Sequence, residues 1–203
     1  MYLNPSDHSE VNNAEFDKMF PRDFPDNLVQ ALLRPASENE DIYIGLGCNL
    51  LLPNANSLRD NVAAALAALE RGGVRLLKQS RLYETVSIPR STQPDYHNLV
   101  LKIHATLSPL KLLGFLHGIE AAMGRVRRER NEARVIDLDL LAFGARHSPW
   151  QECYLPHPRL AERAFVLCPW ADIASDWHHP LTQKTIAELL SELPSGQEIR
   201  VIS

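Results

Sequence analysis

Apolar residues first fall into register at "DIYIGLG", Asp41 to Gly47, where Ile42, Tyr43 and Ile44 predict a short buried strand that stops at glycines. After a loop holding Pro53 and Asn54, Ser57 and Asp60 stand at capping-box spacing. Leu58, Val62, Leu66 and Leu69 then recur at helical intervals as far as Gly72 and Gly73, which predict the stop. "VRLLKQSRLYET" and "NLVLKIHATL" predict two strands, joined by a long proline-containing loop from Val86 to Tyr96. Ser108 as a cap and Pro109 as the opening residue predict a second helix, with Leu112, Leu116, Ile119 and Met123 on one face and Gly124 at its end. "VIDLDLLAF" predicts a fourth strand. The order strand, helix, strand, strand, helix, strand is that of an α+β ferredoxin-like sandwich: an antiparallel sheet with helices on one face, followed here by a C-terminal extension. Residues 1–40 are rich in Asn, Asp, Glu, Ser and Pro and hold no sustained period. They read as a mobile N-terminal extension with a short helix near Leu28 to Leu33, ahead of one domain over 41–203.

Composition narrows the function classes. Of 203 residues, 45% are hydrophobic and 23% charged, which suits one well-buried core. A formal net charge of -4 excludes binding of nucleic acid through bulk charge and leaves only a local basic patch as an anion site. Cys48, Cys153 and Cys168 are an odd set at no metal or redox spacing, which fits a reducing cytoplasm. The acidic, polar N-terminus lacks a signal-peptide profile, and no apolar run approaches the roughly 20 residues that span a bilayer.

The local patch is "RVRRERNEARVIDLDLLAFG", Arg125 to Gly144, in which an arginine-rich segment runs into a strand carrying two aspartates. Alternation along a strand puts Asp137 and Asp139 on one face, about 6–7 Å apart, with Ile136, Leu138 and Leu140 on the other. Asp is depleted in strands, and two like charges so close call for a cation between them; two hard oxygen donors suit Mg²⁺. Arg125, Arg127, Arg128, Arg130 and Arg134 outnumber the carboxylates near them in sequence, which leaves surplus positive charge able to grip phosphate oxygens. A metal and nucleotide site explains both halves of the segment. An edge strand salt-bridged to a solvated basic loop, or a surface for RNA, explains each half singly. No Walker-type glycine loop is present.

"GLGCNL", "SRLYET", "QPDYHNLV", "LHGIEAAMGRVR", "IDLDLLAFG" and "LPHPRLAERAFVLCP" occur in this order from Ile42 to Ala174. Together they resemble hydroxymethyldihydropterin pyrophosphokinase, the folate-pathway enzyme that moves pyrophosphate from ATP to the hydroxymethyl group of a dihydropterin, with release of AMP. The resemblance implies that Asp137 and Asp139 bind two Mg²⁺ ions, and that Arg125, Arg127 and Arg134 belong to a mobile catalytic loop. It further implies pterin stacking by Tyr96 and Phe165, polar recognition by Thr85 and Asn98, and an active-site carboxylate in Glu120. ATP contacts would come from His117, Arg125, Arg127, His157 and Arg163. The implied partners are ATP, hydroxymethyldihydropterin and other folate-pathway enzymes, with neither nucleic acid nor membrane, in the cytoplasm.

The chain also departs from the family pattern. Cys48 stands where the family usually has Ser, and His117 where it usually has Gln. "VSIP" replaces a proline-rich run after Thr85, and "RNEAR", Arg130 to Arg134, stands in place of "RWGPR" in a loop one residue shorter. A diverged paralogue that binds pterin or nucleotide without efficient transfer is therefore the alternative reading, with an RNA-binding sheet as a second rival.

Overall fold

The computed structural model describes Phe20 and residues 24–87, 90–125 and 132–202. Its elements are α1 (Asp26–Leu33), β1 (Ile42–Cys48), α2 (Leu58–Arg71), β2 (Arg75–Gln79), β3 (Tyr83–Thr85), β4 (Tyr96–His104), α3 (Pro109–Ala122), β5 (Asp137–Phe143), α4 (Ala164–Ala174), α5 (Ile186–Ser191) and β6 (Ile199–Val201). A six-stranded sheet runs in the order β5-β1-β4-β3-β6, with β2 also pairing β4, and all of its pairings are antiparallel.

The expected helices form for the expected reasons. Asp60 accepts the backbone N–H groups of Asn56 (2.7 Å) and Ser57 (3.1 Å) at the start of α2, and Gly73, at φ 79°, turns the chain out of it. The Ser108 hydroxyl accepts from Lys111 N–H at the head of α3. Val62 and Leu69 of α2, and Leu112, Leu116 and Ile119 of α3, pack against Ile42, Ile44, Leu46, Leu99, Leu101 and Leu138. This is the helix layer on one face of the sheet that the pattern predicts.

The segment expected as one strand from Val74 to Thr85 is broken into β2 and β3. Gln79 stands opposite Leu101 and Tyr83 opposite Asn98, so β4 offers one residue fewer than the segment facing it. At the break Ser80 replaces the ladder, its N–H donating to Val100 C=O and its hydroxyl accepting Val100 N–H, both at 3.0 Å. The C-terminal extension covers the second face. Val166, Leu167, Trp170 and Ile173 of α4, with Ile186 and Leu189 of α5, bury Tyr43, Val100, Leu141 and Ala142. A register shift between β1 and β5 makes this possible: Ile44 pairs Leu140 and Tyr43 pairs Ala142, so Leu141 is extra. Leu140 consequently joins the α2–α3 core, while Leu141 and Ala142 join the core under α4.

The expectation of a mobile extension over 1–40 is corrected for residues 24–40; residues 1–19 and 21–23 lie outside the described residues. Val29 and Leu32 of α1 are buried, α1 packs on α3, and Phe20 and Phe24 lie against Trp150. Arg146 fastens this segment. Its guanidinium donates to Glu40 Oε1 and Oε2 (2.6 Å each), to the carbonyls of Ala31 (2.9 Å) and Pro35 (2.8 Å), and to that of Arg34. Those carbonyls lie at and just beyond the C-terminal end of α1, where a helix lacks internal donors. The polar composition misleads here because a few apolar residues, Phe20, Val29 and Leu32, reach the core without a sustained period, and backbone carbonyls add bonds that no side-chain pattern shows.

Candidate active site

Above the sheet, between β1, β3, β4, β5 and the start of α4, lies a cavity of about 320 Å³. Its floor is made by what β1 lacks. Gly45 stands opposite Asp139 and Gly47 opposite Asp137 in the β1–β5 ladder, so the strand beside the carboxylates raises no side chain over them. A Cβ on Gly47 would come within 3.1 Å of Asn98 Oδ1, tight enough to displace that amide. Thr85, Tyr96, Asn98, Arg134, Asp137, Asp139, Arg163 and Phe165 all line this one cavity, as do Ser87, Ser91 and Gln93 from the loop after β3.

The two aspartates share a face, as strand alternation requires, with Ile136, Leu138 and Leu140 on the core side. Their environments differ. Asp137 meets the guanidinium groups of both Arg125 and Arg134, one on each carboxylate oxygen. Loss of water would raise its pKa, but the two arginines hold it below the usual carboxylate range. Asp139 has Arg163 at 3.7 Å and keeps a side chain 35% exposed. Burial, followed by repulsion from Asp137, pushes its carboxyl up to about 6. The pair is therefore asymmetric, with one carboxylate neutralised by arginines and one open to the cavity.

Glu120 sits behind this pair and does not line the cavity. Its side chain, 2% exposed, binds Arg125 and accepts Leu138 N–H at 2.8 Å, so α3 fixes both an arginine and the backbone between the aspartates. Thr85 Oγ1 accepts from Asn98 Nδ2 at 2.9 Å, which orients a buried amide at the cavity wall. Arg163 lies 5.3 Å over the Phe165 ring. His157 is pushed down to about 4, first by burial and then by Arg163, so at neutral pH its ring is an uncharged hydrogen-bonding group. His117 is exposed on α3 and is not brought to the cavity lining. Arg127, with residues 126–131 of the arginine segment, lies outside the described residues.

Two buried asparagines escape sequence reasoning. Asn49 accepts Arg134 N–H at 2.7 Å and donates to Pro94 C=O at 3.0 Å, while Asn61 donates to the carbonyls of Leu50 and Val135 at 2.8 Å each. No periodic signal marks them, because their partners are loop backbones distant in sequence.

The geometry is that of a pocket with a carboxylate pair set among arginines at one part and aromatic and amide walls at another. Residues 43–175 match the family described as 7,8-dihydro-6-hydroxymethylpterin-pyrophosphokinase. The chain is 38% identical over 154 residues to the 2-amino-4-hydroxy-6-hydroxymethyldihydropteridine pyrophosphokinase of Pseudomonas aeruginosa, covering 75% of this chain and 91% of that one. It is 36% identical over 156 residues to the folic acid synthesis protein fol1 of Pneumocystis carinii, covering 77% of this chain but only 20% of that longer protein. In fold it resembles the HPPK-DHPS of Plasmodium falciparum, with TM-score 0.60 at 14% identity, over 81% of this chain and 45% of that one. The chain belongs to the hydroxymethylpterin pyrophosphokinase family, and so to the diphosphate-transferring enzymes of folate synthesis.

Proposed function

We propose that the protein transfers the terminal diphosphate of ATP to the hydroxymethyl group of 6-hydroxymethyl-7,8-dihydropterin and releases AMP. The observation that carries this is the convergence, in one cavity, of Asp137, Asp139, Arg134 and Arg163 with Thr85, Asn98, Tyr96 and Phe165. A flat heteroaromatic alcohol fits the second group. Tyr96 and Phe165 offer ring faces, and the Asn98 Oδ1 acceptor, with the Thr85 hydroxyl as a donor beside it, would meet a polar edge.

Among the described residues no group of three or more His, Cys, Asp or Glu forms a complete protein cage for a metal. Two adjacent carboxylates suit Mg²⁺, which keeps waters and takes the remaining oxygens from phosphates. Asp137 and Asp139 would hold two such ions, whose chemistry is to neutralise triphosphate charge and polarise the transferred group. Arg125 and Arg134 keep Asp137 ionised, and Glu120 keeps Arg125 and the β5 backbone in place. Arg163, which lines the cavity, would meet phosphate oxygens; His157, outside the lining, would act from beside it as an uncharged ring. No described side chain is positioned as a strong base, so orientation and charge neutralisation supply the rate.

The RNA reading loses its surface, because α4 and α5 bury the sheet face that would stack bases. The diverged-paralogue reading gains nothing from the described site, which retains both carboxylates and their arginines. Among the described residues no helix is long and apolar enough to cross a membrane; a cytoplasmic setting fits this and the three free cysteines. Relatives named as bifunctional or as HPPK-DHPS join this unit to another in one chain, which supports other folate-pathway enzymes as partners. The test is incubation with Mg²⁺, ATP and hydroxymethyldihydropterin: AMP supports the reading, ADP would mean simple phosphorylation, and neither product would mean a binding protein.

A further inference from the structure

The pocket's aromatic part and its arginine–carboxylate part are built from segments far apart in sequence; Tyr96 Oη reaches Glu132 C=O at 3.2 Å, and a buried side chain, Asn49, bonds to both parts. Asn49, 3% exposed, follows β1 and does not line the cavity. Its Oδ1 accepts Arg134 N–H at 2.7 Å, and Asn49 N–H and Leu50 N–H both donate to Arg134 C=O, at 3.0 and 3.1 Å. Its Nδ2 faces the other way, donating to Pro94 C=O at 3.0 Å and to Gln93 Oε1 at 3.5 Å. Gln93 Oε1 in turn accepts from Tyr96 Oη at 2.9 Å. A continuous polar path thus runs from Tyr96, through Gln93 and Asn49, to Arg134 and Asp137.

We infer that Asn49 is a positioning residue that assembles the two parts of the site together, its carbonyl oxygen setting Arg134 against Asp137 and its amide nitrogen setting the Gln93–Pro94 segment against Tyr96. The side chain suits this task because a primary amide carries an acceptor and a two-proton donor on opposite atoms. Asp in its place keeps the acceptor and loses the donor. Ala loses both.

The inference rests on the pyrophosphokinase reading, and the experiment separates the two: a wild type that forms no AMP ends that reading before any variant is compared. Where the wild type is active, kcat, pterin KM and melting temperature are measured for Asn49→Asp and Asn49→Ala, and pterin affinity is titrated by fluorescence without nucleotide. Asn49→Asp should raise pterin KM and weaken pterin binding tenfold or more while kcat stays within about threefold. Asn49→Ala should show the same pterin defect and, in addition, a kcat at least tenfold lower. Where Asn49→Ala does not fold, Asn49→Asp alone decides, by whether KM moves without kcat. Equal changes in kcat and KM in Asn49→Asp, or pterin affinity within twofold of wild type, would overturn the inference. Failure of both variants to fold would overturn it as well and make Asn49 a purely structural residue.

Discussion

Two arginine–carboxylate clusters in this protein are built on opposite plans. At the α1 attachment, Arg146 is 4% exposed and each of its five N–H bonds has an acceptor in Glu40 or in the carbonyls of Ala31, Arg34 and Pro35. Glu40 is correspondingly stabilised as an anion: burial opposes this, but Arg146 and the Ser37 N–H together hold its carboxyl below the ordinary range. In the cavity, Asp137 is shared by two arginines while Asp139, beside it, has among the described residues a single ion pair, to Arg163 at 3.7 Å. The first cluster is closed, with every group matched and nothing left to bind. The second is left open among the described residues, and a carboxylate that faces a cavity with one long ion pair suits a metal and phosphate site. Counting ion pairs would score the two alike; matching donors to acceptors separates structure from chemistry.

Removing the open carboxylate gives the largest expected effect. Asp139→Asn should lower AMP formation on the order of 10³-fold or more, as loss of a metal ligand and preorganised charge does, and should melt no lower than wild type because Asp137 loses a like-charged neighbour. An active Asp139→Asn enzyme would erase the contrast. Next comes the closed cluster. Arg146→Ala leaves Glu40 with Arg34 at 3.5 Å and the Ser37 N–H, and takes a donor from each of three carbonyls, which costs about 1–3 kcal/mol, a fall in melting temperature of roughly 2–12 °C for a chain of this size. Its kcat at low temperature should match wild type; a kcat defect without a melting defect would place Arg146 in the chemistry instead.

The pocket's aromatic walls come third. Tyr96→Ala and Phe165→Ala should each weaken pterin binding by about 1–3 kcal/mol through lost area and stacking, with nucleotide affinity kept. Calorimetric titration checks it, and a fall in melting temperature with unchanged pterin affinity would assign the rings to packing. The smallest effect is a pH dependence. Because the folded-state pKa of Glu40 is lowered, its contribution is full above the unfolded carboxylate value, near 4.5, and is lost as pH falls through the folded value. The stability advantage of wild type over Glu40→Gln, read from denaturant unfolding, should therefore be constant near neutrality and shrink on acidification. An advantage that grows with acid would contradict the closed-cluster account.

Residues whose role is set by local period were legible in the sequence. Asp137 and Asp139 share a face because alternation demands it, and the starts of α2 and α3 follow from Ser57, Asp60, Ser108 and Pro109. Roles set by long-range backbone contacts were not legible. Arg146 meets Glu40 across 106 positions, and Asn49 meets Arg134 across 85, and no local period signals either contact. The extra residue at Leu141 is equally silent, since a run of apolar residues reads the same in either phase. The placement of Tyr96, Phe165, Thr85 and Asn98 around one cavity came from the family resemblance, because singly each would pass for a core residue.

The fastening of α1 bears on how a fragment of this protein should be cut. Family similarity begins at residue 43, which invites a cloning boundary just before β1. Such a fragment would keep Arg146 but lose Glu40 and the three carbonyls it binds, and would bare the α3 surface that α1 covers. The guanidinium would be uncovered beside a fresh greasy patch, and an exposed apolar patch of that kind promotes aggregation. A boundary at or before Phe20 retains the whole lock, so the homology boundary and the folding boundary of this protein are about twenty residues apart.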